Sequence, residues 1–235
     1  MNNRKADLYR MVAIERERLK IDAYPFDIIK NQANNDKRVL ELVDFHNKKL
    51  NGMAFPGEKV DTIVLDKKRA RAQLIFDYTH EHNHLSWHKP LHWDWFQCFE
   101  KPIDTQDGFR EWQCNEGAAE LLMPYELVLP IAKEKNFDPR GTIEAIMTRF
   151  QVTEAMAFIR LDGLDYELIQ YVYGTSVNSI ELLSKREQVR RKLRSKDGVL
   201  LPAEKLFKEF DGRFILPLNQ TQELKVAEEK EVYKV

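Results

Sequence analysis

The run His80-Glu81-His82-Asn83-His84 carries two imidazoles four residues apart, with a carboxylate directly after the first. On an α-helix, residues i and i+4 lie nearly above one another, about 6 Å apart along the axis. His80 and His84 can then each aim a ring nitrogen at one ion. Glu81 is rotated roughly 100° from His80, out of the plane of the two ligands but within reach of a water at the same ion. The HExxH pattern therefore encodes two zinc ligands and a general base. Five of the six histidines, His80, His82, His84, His88 and His92, fall within 13 residues. A histidine-rich helix can also produce this pattern by chance or bind metal adventitiously, so the flanking segments decide.

Around the motif, helical periodicity predicts one long helix over 68–88, closed by Pro90. Two short strands, Met53-Ala54-Phe55 and 61–65, precede it and read as a hairpin about the Pro56-Gly57 turn. A strand beside such a helix can hold an extended peptide by main-chain hydrogen bonds. Upstream, a charged amphipathic helix is expected over 5–20 and a short one over 26–33. Asp36 reads as the N-cap of a further helix to Leu50, ended by Asn51-Gly52. Downstream, 89–108 reads as an aromatic, turn-rich loop that is either a surface loop with its own small core or a wall of a substrate cleft. A helix over 109–122 follows, closed by Pro124. Glu111, Asn115, Ala118, Ala119 and Leu122 share one of its faces, small and polar at one end, where a second helix can approach closely.

Beyond it, helices are expected at 125–136, 140–150 and 153–163. The last two form a helix-turn-helix-like pair about Gln151-Val152. Its second helix offers only Arg160 as a basic residue, which suits an ordinary helical pair better than base readout. A boundary is expected at 174–178. A helix over 180–196 ends in a basic run, 185–196, with seven basic residues and one acidic residue ahead of Asp197. That run is either a solvated face or a docking surface for an acidic partner or for phosphates. The domain plan is thus an N-terminal helical segment at 1–35, a domain at 36–165, and a C-terminal appendage at 176–235 carrying the basic helix.

The bulk numbers bound the function classes. The 235 residues suffice for one large or two modest domains, and 43% hydrophobic with 32% charged is ordinary for a globular chain. A net charge of −1 gives no global field toward nucleic acid or membrane. Cys98 and Cys114 form no CxxC pair, so a disulfide framework or a cysteine zinc cluster is not indicated. No apolar run approaches the roughly 20 residues of a membrane span, and the N-terminus lacks the apolar core of a signal peptide. The expectation is a cytoplasmic protein.

With these pieces in place, the chain resembles the ImmA/IrrE family of metallopeptidases. TIVLDKKRARAQLIFDYTHEHNH is similar to the family's short strand running into the HExxH helix, and His88 stands where the family often has another histidine. EWQCNEGAAELLMP at 111–124 resembles the family's second helix, and FQVTEAMAFIRLDGL its post-catalytic helical pair. The resemblance covers about 55–164. It implies an α+β fold, a mostly helical zincin-like metallopeptidase domain with a small β-sheet, followed by the helical pair and the appendage. It implies a zinc (Zn2+) endopeptidase of the gluzincin type, with Glu81 as the catalytic base and His80, His84 and a glutamate as metal ligands. Alignment puts that glutamate at Glu111; Glu116 and Glu120, on the same helix but rotated well away from it, are the alternatives. The oxyanion or substrate contact is left among His88, Tyr78 and His92. The implied partner is a protein substrate, a helix-turn-helix transcriptional repressor of a mobile element or stress response. The competing reading is a catalytically silent metal-binding regulator that acts on transcription through protein or DNA contacts. Departures from the family pattern fall at packing positions: His82-Asn83 inside the motif, Cys114 for a common Ala, and Gly117 for Phe.

Overall fold

A computed structural model describes residues 5–47, 50–88, 96–97, 106–172, 179–181, 183 and 185–198. Its described helices and strands run α1 (Lys5–Leu19), α2 (Ile28–Asn31), β1 (Arg38–Val43), β2 (Gly52–Phe55), β3 (Asp61–Asp66), α3 (Arg71–Asn83), β4 (Phe96–Gln97), α4 (Gln106–Leu122), α5 (Tyr125–Glu134), α6 (Pro139–Phe150), α7 (Glu154–Val172) and α8 (Lys185–Arg190). The fold is α+β and mostly helical, with one small mixed sheet beside the HExxH helix, as expected. Two compact units form: one from 21–122 with 149–153, the other from the described parts of 1–20, 123–148 and 154–235.

In the first unit the sheet order is β1-β3-β2-β4. β3 is central, and its Ile63 and Leu65 are fully buried. β-branched residues on a strand covered on both sides suit that position. β2 and β3 form the expected antiparallel hairpin, with Ala54 opposite Ile63. The backbone N–H of Gly57 donates to Asp61 Oδ1 at 3.0 Å and fastens the turn.

β1 corrects the helix expected over 36–50. It runs parallel to β3, with Arg38 opposite Asp61 and Val43 opposite Asp66. Its start is an Asx turn rather than a helix cap, because Asn35 Oδ1 accepts from the Lys37 N–H at 3.0 Å. As an edge strand it leaves Val39 and Leu42 about half exposed. Arg38 ties this edge inward: its guanidinium lies 3.6 Å from Asp61 and also contacts His82 Nδ1 on α3.

The single helix expected over 68–88 is two pieces. α3 starts after Ala70, whose backbone N–H is accepted by Gln73 Oε1 at 3.2 Å, and it packs on β2 and β3. After Asn83 the backbone widens into a π-helical turn over His84–His88. Such turns recur at functional sites because they re-aim side chains within a helix. α4 packs along α3, and Asn83 Nδ2 donates to the Cys114 carbonyl at 3.2 Å across the pair. A Cβ on Gly117 would stand 2.3 Å from Trp87 Cη2. The indole of Trp87 therefore fills the space that a phenylalanine at 117 would take.

In the second unit, Leu8, Val12, Val128, Leu164, Leu168 and Ile169 belong to the fully buried core. Arg160, the basic residue of the helix-turn-helix-like pair, is buried. Its Nε donates to the Met123 carbonyl at 2.7 Å, and its guanidinium lies 3.3 Å from the Tyr125 ring centroid. α7 runs past the expected end at 163 to Val172. α8 is shorter than the helix expected over 180–196, and part of its basic run is paired internally. Arg190 and Arg191 both donate to Glu187, and Arg194 is buried in a fork on Asp162 at 2.7 and 3.0 Å. Lys185 Nζ lies 3.3 Å from the same Asp162. Of the seven basic residues read as either a solvated face or a docking surface, Lys185, Arg190, Arg191 and Arg194 thus stand in intramolecular ion pairs. Residues 173–178, where a boundary is expected, and 199–235 lie outside the described residues, as does most of the loop expected at 89–108, His92 included.

Candidate metal centre

α3 and α4 bring three donors to one point. His80 Nε2 and His84 Nε2 are 3.0 Å apart. Glu111 Oε2 lies 3.3 Å from His80 Nε2, and Glu111 Oε1 lies 3.4 Å from His84 Nε2. Ligands bound tetrahedrally to zinc at about 2.0–2.1 Å stand roughly 3.3–3.4 Å apart, so the two spacings to Glu111 match such an ion and the two imidazoles stand slightly closer. All three residues are buried. Among the described residues, only two groups of three or more His, Cys, Asp or Glu donors are close enough to share an ion: His80–His84–Glu111 and His84–His88–Cys114. Glu116 and Glu120 belong to neither.

Each histidine is oriented through its other nitrogen. Asn115 Oδ1 lies 2.9 Å from His80 Nδ1, so Nδ1–H donates and the Nε2 lone pair is left for the shared point. His84 Nδ1 lies 3.4 Å from His88 Nδ1, and His88 Nε2 lies 3.3 Å from Gln113 Oε1. Read from the amide end, His88 Nε2–H donates to Gln113 and His88 Nδ1 accepts from His84 Nδ1–H. Partners of this kind fix the tautomer and ring angle of metal-binding histidines. Asn115 follows Glu111 by four residues on α4, so the spacing placed both on one face; the role of Gln113 had no such signal.

The electrostatics match a site built for positive charge. Burial works against ionisation of Glu111, yet its hydrogen bonds with His80 and His84 hold its carboxyl down at about 2. Burial also opposes protonation of His80, but Glu111 and the charge of Glu81 outweigh it, and His80 sits above the ordinary histidine value. His84 is lowered, chiefly by burial. His88 falls to about 4, through burial and then the charge on His84.

Glu81 is buried beside this cluster, and a glycine makes room for it. A Cβ on Gly52 would stand 2.6 Å from Glu81 Oε1 and 2.8 Å from Leu65 Cδ2. The sequence offered Gly52 as a helix terminator; it opens β2 and cradles the carboxylate instead. Of the other candidates, His88 lies against His84 rather than at the point the three donors share. Tyr78 is buried and stacks on His82, with ring centroids 6.5 Å apart, and burial raises its hydroxyl. Two residues along a helix are about 200° apart, so Tyr78 lies on the face opposite His80.

No curated protein matches the chain. A family model, the IrrE N-terminal-like domain of the M78 peptidases, matches residues 37–162. That span takes in the sheet, both helices of the donor cluster and the start of α7. The chain belongs to the IrrE N-terminal-like family of peptidases, with a metallopeptidase-like domain whose buried His80–His84–Glu111 cluster is its candidate metal site.

Proposed function

We propose that the chain is a zinc-dependent endopeptidase of the gluzincin type that cuts a protein substrate. The observation that carries this reading is the convergence of His80, His84 and Glu111 at tetrahedral-edge spacing, with Glu81 held beside them against Gly52. When bound, zinc supplies Lewis acidity toward a peptide carbonyl and toward water. The chain's own residues do the rest. Asn115 and the His88–Gln113 relay hold the two imidazoles. Glu81 accepts a proton from the attacking water and delivers it to the leaving amine as the C–N bond breaks. Water is thereby added across one peptide bond, and Glu81 ends ionised, as it began.

The substrate we favour is a helix-turn-helix transcriptional repressor, the substrate class that the resemblance implies, cut in the cytoplasm. No described helix is long and apolar enough to cross a membrane. A regulator acting through DNA is less well supported, because Arg160 and Arg194 are buried and Arg190 and Arg191 are paired with Glu187. The test is to incubate the zinc-loaded chain with the repressor encoded beside it. Zinc-dependent fragments that are lost in Glu81→Gln are expected. An intact repressor, with specific DNA retention surviving in Glu81→Gln, would overturn the reading.

A further inference from the structure

The second donor group shares His84 with the first, and its other members, His88 and Cys114, serve as no metal ligand in the reaction above. His84 Nδ1 and His88 Nδ1 are 3.4 Å apart, and Cys114 Sγ is 3.7 Å from His88 Nδ1. The ligand atoms of all three residues lie within 4.8 Å of one another, and all three residues are buried. Around a tetrahedral ion with bonds of about 2.0 Å to nitrogen and 2.3 Å to sulfur, nitrogens stand roughly 3.3 Å apart and nitrogen and sulfur roughly 3.5–3.6 Å. The two spacings about His88 are therefore those of a ligand set, and the third pair, His84 and Cys114, lies within 4.8 Å. His88 closes the π-helical turn and meets both His84 and, on α4, Gln113 and Cys114.

We propose that His84, His88 and Cys114 form a second cation site, selective for thiophilic d10 ions such as copper(I) or cadmium. The thiolate is a soft donor beside two borderline imidazoles, whereas the first set has a hard carboxylate in place of the sulfur. Binding displaces the Cys114 thiol proton to solvent and forms a metal–sulfur bond, with no change of oxidation state. Because His84 is common to both sets, the two are antagonistic. A neutral imidazole has one lone pair, so His84 serves one set at a time, and a cation held by Cys114 and His88 withdraws His84 from the catalytic set. The site is thus a built-in point of inhibition by thiophilic metal. The inhibition rests on the catalytic reading; the site itself rests only on the three side chains.

The test uses the full chain carrying Cys98→Ala, which leaves Cys114 as the sole thiol. Cadmium is titrated into the metal-free protein and the cadmium–thiolate charge-transfer absorption is followed. Cadmium can enter either set, but only the second gives this band. Absorption equivalent to one thiolate per chain is expected, lost in Cys114→Ser and shifted at least tenfold in midpoint by His88→Ala. Circular dichroism establishes that each variant is folded; in the two-thiol chain, the same comparison reads the component that Cys114→Ser removes. No band from the folded single-thiol chain, or a midpoint unchanged by His88→Ala, overturns the site. Glu81→Gln and Glu111→Gln keep the band, so a failure of the peptidase reading leaves this result standing. Absence of the band would in turn leave zinc-dependent cleavage untouched.

Discussion

Glu81 Oε1 lies 2.6 Å from where a side chain at position 52 would begin. The Glu81 carboxylate, proposed as the general base, is thus placed by an absence of atoms on β2. Gly52→Ala must push the carboxylate aside, because the backbone of a paired strand yields less than a side chain. A misplacement near 1 Å at a reacting group costs about 10²-fold in rate. Cleavage by Gly52→Ala should fall by about that factor while zinc content per chain stays unchanged. Equal loss of zinc and rate would show that Gly52 supports the whole cluster rather than Glu81.

Asn115 sets the tautomer of His80 through a 2.9 Å contact. Loss of such a partner typically costs 10–100-fold in metal affinity. Competition against a chelator should show that loss in Asn115→Ala, with partial recovery in Asn115→Asp, which restores an acceptor. Affinity unchanged in Asn115→Ala would mean that packing alone orients the ring.

The candidate donor cluster was more legible in the sequence than the framework that holds it. His80, Glu81 and His84 follow from the spacing of one motif; Glu111 and Asn115 share a face of a second helix by spacing, but the choice of Glu111 as a ligand came from the family resemblance. β1 was not legible: Val39, Leu40 and Val43 suit a helix face as well as a strand, and the parallel pairing with β3 that decides between them is non-local. The pairing within the basic run was not legible for the same reason. Arg194 and Asp162 meet across 32 residues, and a local charge pattern cannot report that pair. Gly117, a departure from the family pattern, became intelligible only once Trp87 was seen in the space opposite.

That exchange between Trp87 and Gly117 is testable as a pair. Gly117→Phe alone overfills the α3–α4 seam and should destabilise by about 1–3 kcal/mol. Combined with Trp87→Ala, the phenylalanine enters vacated space. Denaturant unfolding of the two single variants and the double variant should give a favourable coupling of about 0.5–3 kcal/mol. Additive losses would mean that the two positions do not share one space.

Asp165, on α7, is held up at about 7 by burial and then by the charge of Asp162, against a smaller pull from Arg194. Between the ordinary aspartate value near 4 and about 7, the folded state binds the proton more tightly than the unfolded state does. Stability contributed by protonated Asp165 is therefore present at low pH and lost as pH rises through about 7, by up to about 4 kcal/mol. Asp165→Asn should flatten this dependence and make the chain more stable than the native sequence at pH 8. Parallel stability–pH curves for the two proteins would contradict the assignment.

The central claim, that His80, His84 and Glu111 hold one catalytic ion, is tested most directly by zinc content per chain after dialysis against a weak chelator. One zinc is expected in the native chain, in Glu81→Gln and in Glu116→Ala, and well below one in His80→Ala, His84→Ala and Glu111→Ala. Full zinc in Glu111→Ala together with loss in Glu116→Ala would contradict the ligand set.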